Sequence, residues 1–147
     1  MLLTSHLFYI QNKVLFFLNS STTITTILTM SAISIPKGQI KLAGIIHKSA
    51  TASASSKSPA LVIVHLGGGV KEQTAGLYAK RISEAGFPTV TYDASNQGES
   101  GGEPHFLEDP SQRVSDVWSV VDYLERLDFV DSDKIVDTIP RISKAQV

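Results

Sequence analysis

The stretch Ala60–His65, ALVIVH, with the glycines Gly67 to Gly69 just after it, limits the possible folds of this chain more than any other feature. An unbroken apolar run rich in β-branched residues suits a strand buried on both faces, as in a parallel sheet. Past the glycines, EQTAGLYAKRISEAGF repeats Ala75, Tyr78, Ala79, Ile82 and Ala85 at helical spacing. Gly86 then suits a left-handed cap, and Pro88 blocks continuation. PTVTYD reads as a short strand. DPSQRVSDVWSVVDYLERL opens a second helix, with Asp109 as N-cap, Pro110 at the first helical position and Gln112 spaced for a capping box. Its expected buried stripe is Val114, Val117, Trp118, Val121 and Leu124. Upstream, AISI and IKLAGIIH read as strands joined by a tight turn at Pro36-Lys37-Gly38, and Ser49 to Pro59 as a small, polar surface loop. The order β-β-β-α-β-α implies an α/β class with a mostly parallel sheet and right-handed crossovers.

At 147 residues, 42% hydrophobic and 18% charged, the chain has the size and composition of one globular domain. Its net charge of -1 gives no pull toward nucleic acid or an anionic membrane. No Asp or Glu precedes Glu72, and the lysines before it, Lys37 and Lys71 among them, are scattered and read as solvated surface. The absence of cysteine excludes disulfides and thiolate chemistry within this sequence and fits a cytoplasmic protein. His6, His47, His65 and His105 lie far apart without metal-ligand spacing, so neither metal nor cofactor is expected. Residues 1–30 are expected to be an N-terminal extension outside the fold. They are apolar but broken at Asn12-Lys13 and at Asn19 to Thr23, too short a run for a bilayer span and poorly framed for a signal peptide.

Two glycine-rich segments compete for the chemistry. GESGG, Gly98 to Gly102, matches the G-x-S-x-G pattern of a nucleophile elbow, in which Ser sits on a strained turn between a strand and a helix. Ser100 lies eight positions beyond Tyr92 at the end of its strand, Gly101-Gly102-Glu103-Pro104 follow it, and no His occurs after His105. It reads as an ordinary serine in a mobile, turn-rich loop, not as a nucleophile. The stronger signal is His65-Leu66-Gly67-Gly68-Gly69. Consecutive glycines after a buried strand let several backbone N–H groups converge on one small volume, as a developing oxyanion requires. The alternatives are a plain strand-to-helix turn or a phosphate cradle, and the latter lacks both the third glycine of G-x-G-x-x-G and the Gly-Lys-Ser/Thr of a P-loop.

LVIVHLGGGVKEQTAGLYAKRISEAGFPTVTYDASNQGESGGEP, followed by EDPSQRVSDVWSVVDYL, resembles the front half of α/β-hydrolases. It is most similar to the dienelactone-hydrolase-like branch that includes fungal polyketide transferases and thiohydrolases. The resemblance runs from about Ser31 to Ile135. It implies a partial α/β-hydrolase fold, residues 31–147, truncated before the nucleophile elbow and diverging from about residue 136. It implies hydrolysis or transfer of acyl groups at ester, thioester or lactone bonds through a Ser or Cys nucleophile, with a small-molecule ester or thioester as partner. His65 would brace an oxyanion loop of His65, Leu66, Gly67, Gly68 and Gly69, with backbone N–H groups near Leu66, Gly67 and Gly68 as donors. Leu66 stands where the family commonly has Pro or Gly. The tail VDTIPRISKAQV matches no elbow, so the expectation is a chain inactive alone, a non-catalytic interaction fragment or, less favoured, a small nucleotide-binding domain. With its partner beyond Lys134 cut short, ALVIVH is expected to present an exposed edge open to self-association.

Overall fold

The computed structural model describes residues 29–137. All but the first two residues of the expected tail from about residue 136, and all but the last two of the expected N-terminal extension, therefore lie outside the described residues. Strand β1 (Thr29–Lys37) forms an antiparallel hairpin with β2 (Ile40–Lys48). After the surface loop come β3 (Ser58–Val64), α1 (Thr74–Glu84), β4 (Thr89–Tyr92), α2 (Pro110–Leu124) and β5 (Val130–Asp137). The sheet order is β1-β2-β4-β3-β5, with β3 parallel to both β4 and β5 and β2 antiparallel to β4. The α/β expectation holds, and ALVIVH lies at the centre of the three parallel strands.

Several local expectations shift. The turn is Gly38-Gln39, Gly38 at φ +55, while Pro36 and Lys37 remain paired with Lys41 and Ile40. Pro36 is tolerated because β1 is an edge strand, where a missing N–H costs no ladder bond. The strand also starts at Thr29, so the expected boundary at residue 30 falls inside it. On the other side, β3 does not stand bare: β5 begins at Val130 and pairs with it at Ser58, Ala60, Leu61 and Val62 across an irregularity. Among the described residues the free edges belong to β1 and β5.

The two helices cover opposite faces of the sheet. Val62, Val90 and Tyr92 join Ile35, Leu42, Val117, Val120 and Leu124 in the larger core under α2. Ile63 packs with Ala75 and Ala79 of α1 in a smaller one. Fully burying a Val or Leu side chain is worth about 1.5–3 kcal/mol, so the α2 face carries most of the apolar stabilisation. On α1, Ala75, Ala79 and Ser83 are buried, whereas Tyr78 is exposed, as is Ala85. Tyr78 lies about 100° from the centre of the buried stripe at 3.6 residues per turn. Ser83 fits inside because its hydroxyl donates to Lys80 O at 2.8 Å. The helix ends in a Schellman pair, Gly86 N–H to Ser83 O and Phe87 N–H to Ile82 O, with Gly86 at φ +106 as expected. On α2, Asp109 caps as expected, accepting from the Ser111 and Gln112 N–H groups. Val114 and Trp118 are only half-buried, and Asp116 and Val120 take their places in the interior.

His47 on β2 is buried on the α1 side, with neither ring nitrogen hydrogen-bonded to a described residue. Burial, reinforced by the Lys80 charge, lowers its pKa. The folded state thus prefers neutral imidazole, and its contribution to stability is present above the ordinary value of about 6.5 and lost as pH falls below it. Urea midpoints measured between pH 7.5 and 5 should fall, and His47→Leu should flatten that slope; an unchanged slope in the variant would contradict the assignment.

Candidate functional site

The loop after β3 is fixed by His65, which is buried. Its Nε2 accepts the Ala94 N–H at 3.1 Å, which leaves Nδ1 protonated and donating to Leu66 O at 2.7 Å. The His65 ring therefore bridges the loop to the chain just past β4. Gly69 N–H donates back to Leu66 O at 2.9 Å and closes the turn.

The backbone donors divide sharply. Gly68 N–H is committed to Glu108 Oε1 at 3.1 Å, Val70 N–H to Gln73 Oε1 at 3.4 Å and Lys71 N–H to Asp93 Oδ1 at 2.8 Å. Leu66 and Gly67 N–H donate to no described residue. Of the three donors expected near this loop, Gly68 is thus already engaged by a carboxylate. Glu108 is itself gripped by Arg113, Nε to Oε2 and Nη2 to Oε1, each at 2.8 Å. Arg113 Nη1 reaches His65 O at 3.1 Å. The Arg113 fork, then the Gly68 N–H, hold the Glu108 carboxyl down at about 2. A carboxyl depressed in the folded state stabilises above the ordinary value of about 4.3, and that contribution is lost as pH falls toward 2. The contact persists at any physiological pH.

Next to the loop sits a charge cluster around Lys71, a residue expected at the surface but buried. Asp93, just past β4, is fully buried. Its Oδ1 accepts the Lys71 N–H, and its Oδ2 accepts Lys71 Nζ at 2.7 Å and the Glu99 N–H at 2.9 Å. Lys71 Nζ also meets Glu99 Oε2 and Glu72 Oε1, both at 2.8 Å. Burial works to lower the Lys71 pKa, but Asp93, Glu72 and Glu99 outweigh it and hold the ammonium charged well above the lysine range. Gly98 is dictated by this cluster: its φ is +52, and a Cβ there would collide with the Asp93 carboxylate. Lys37 is likewise no solvated lysine. It pairs with the buried Asp116, which also accepts Ser95 N–H at 2.8 Å and Ser95 Oγ–H at 2.6 Å.

Ser100 is buried in the same framework. Its Oγ–H donates to Asp93 O at 2.6 Å and the oxygen accepts Ala43 N–H at 2.9 Å. Its hydroxyl is spent on the backbone, and its loop is not the mobile turn expected: Asn96 and Gln97 are buried, with Asn96 N–H bonded to Gly101 O. Lys71, Glu108, Arg113 and Asp116 carried no sequence signal for these roles.

No family model matches the chain. It is 50% identical over 96 residues to the uncharacterized protein YcjY of Escherichia coli, covering 65% of this chain and 31% of that protein. It is 35% identical over 83 residues to the acyltransferase drtE of Aspergillus calidoustus, covering 56% of this chain and 27% of that one. The hypothetical protein PA2218 of Pseudomonas aeruginosa superposes with a TM-score of 0.70 at 32% identity, over 75% of this chain and 34% of its own. The α/β hydrolase GrgF of a Penicillium species gives 0.66 at 22% identity, over 75% and 37%. A dienelactone-hydrolase-like phosphotriesterase shares the fold as well. The chain spans about a third of the length of these proteins. Its described residues have the architecture of part of an α/β-hydrolase, as the resemblance implied.

Ser100→Ala should leave hydrolysis of p-nitrophenyl acetate unchanged while costing about 1–3 kcal/mol in denaturant unfolding, because it strips hydrogen bonds from two backbone groups. A selective loss of turnover would restore Ser100 as nucleophile. Asp93→Ala should cost more, about 3–5 kcal/mol, since it leaves the Lys71 ammonium buried without its main partner. A loss under 1 kcal/mol would show that Glu72 and Glu99 suffice.

Proposed function

We propose that residues 65–69 are the oxyanion loop of a hydrolase or acyltransferase acting at ester, thioester or lactone bonds. The observation that carries this reading is the pair of adjacent N–H groups, Leu66 and Gly67, without acceptors among the described residues, on a loop whose next four N–H groups, Gly68 to Lys71, are all bonded. When a nucleophile adds to an acyl carbonyl, the carbonyl π electrons move onto oxygen, and donors already fixed in place stabilise that charge without reorganising. His65 holds the loop against β4, and Glu108 fixes the Gly68 peptide beside it. The acyltransferase name of one relative and the hydrolase fold of the structural neighbours support the same class.

Among the described residues no serine sits on a strand-to-helix turn, and Ser100 is committed to the backbone. This chain by itself is therefore proposed to bind acyl oxyanion mimics without turnover. A phosphate cradle is disfavoured because the Glu108 carboxylate occupies Gly68 N–H and would repel phosphate there. Self-association is assigned to the β5 edge, where Asp131, Asp133, Lys134 and Asp137 oppose strand addition and keep it weak. Among the described residues no helix is long and apolar enough to cross a membrane. The cysteine-free sequence accords with the cytoplasm.

Titrating acetate into the ¹⁵N-labelled chain should shift the Leu66 and Gly67 amides selectively, with no saturable binding of ATP or NAD. Micromolar ATP binding abolished by Gly68→Val would replace this reading with a nucleotide site.

A further inference from the structure

The free donors of the loop are flanked by apolar side chains left in water. Leu66 is 77% exposed, Phe106 80% and Leu107 42%. The Glu108–Gly68 hydrogen bond brings the segment carrying Phe106 and Leu107 against the segment carrying Leu66. Phe106 N–H donates to Asn96 O at 2.7 Å and Gln97 Nε2 to Leu107 O at 3.2 Å, so the apolar segment is tied down rather than loose. Large exposed apolar side chains gathered beside polar donors mark a binding surface more often than chance exposure does.

The two cations nearest the loop, Arg113 and Lys71, are already paired. Glu108 and Arg113 neutralise each other in a bidentate pair, and the remaining Arg113 nitrogen goes to His65 O. Lys71 is enclosed by Asp93, Glu72 and Glu99. A ligand at Leu66 and Gly67 N–H therefore meets two neutral donors and an apolar rim, with neither of these cations available for a second charged group.

We infer that the acyl group received by this loop is an uncharged aliphatic chain of several carbons, its carbonyl oxygen at the Leu66 and Gly67 N–H groups and its chain on Leu66, Phe106 and Leu107. This rests on the oxyanion reading above. The test uses octanoate, acetate and glutarate as probes of the full chain, each titrated while the Leu66 and Gly67 amides are followed by NMR. Octanoate should bind about tenfold or more tightly than acetate, since burying even a few methylenes has an effect of that size. Glutarate, carrying a second charge, should gain nothing over acetate. Phe106→Asn and Leu107→Asn, made separately and checked for native spectra, should each shrink the octanoate-to-acetate ratio at least threefold. Asn is chosen at Phe106 because it tolerates the φ of +65 found there. Equal binding of octanoate and acetate, tighter binding of glutarate, or a ratio unchanged in both variants would overturn the inference while leaving the oxyanion loop standing. If none of the three shifts the Leu66 and Gly67 amides, the oxyanion reading fails and the inference with it.

Discussion

The carboxylate of Asp93 is the interaction on which the rest of this structure depends. Burying an isolated carboxylate is costly, and it persists only where charge and hydrogen bonds replace the lost water. Here the replacements come from both glycine-rich segments at once: the backbone and ammonium of Lys71 from one, the Glu99 N–H from the other. Two segments far apart in sequence thus close on one anion at the end of β4. The Asp93 N–H in turn donates to Ala43 O at 2.9 Å, which fixes the group to β2.

A second buried carboxylate repeats the device on the α2 face. Asp116 binds Ser95 and Lys37, tying the middle of α2 to the loop after β4 and to the end of β1. Between these anchors the loop after β4 has little freedom, and His65 passes that rigidity to the proposed oxyanion loop through Ala94. Rigid placement is what an oxyanion loop needs, because donors that must reorganise lose most of their worth in the transition state.

The sequence disclosed what depends on local pattern and concealed what depends on pairing across the fold. Unbroken β-branched runs marked β3 and β4, and the Asp109-Pro110 and Gly86 signals marked helix ends, because capping is decided within a few residues. The glycine loop stood out for the same reason. Lys71 and Lys37 read as solvated because they are scattered along the chain, while their buried partners Asp93 and Asp116 lie 22 and 79 residues away. Tyr78 looked interior because helical spacing tolerates a residue at the edge of the stripe, and only the width of the covered face decides the matter. Leu66, Gly67 and Gly68 could not be separated as donors until Glu108, 40 residues beyond Gly68, was seen to claim one of them.

Native-state hydrogen exchange at the Lys71 and Glu99 amides tests the central claim most directly, since both donate to the Asp93 carboxylate. If Asp93 locks the two glycine-rich segments to the core, these loop amides exchange only through global unfolding, with the same opening free energy as Val62 in β3 and Val90 in β4. Exchange of Lys71 and Glu99 at rates typical of exposed loops, while β3 and β4 stay protected, would show that the segments open independently and that the buried carboxylate does not hold the site.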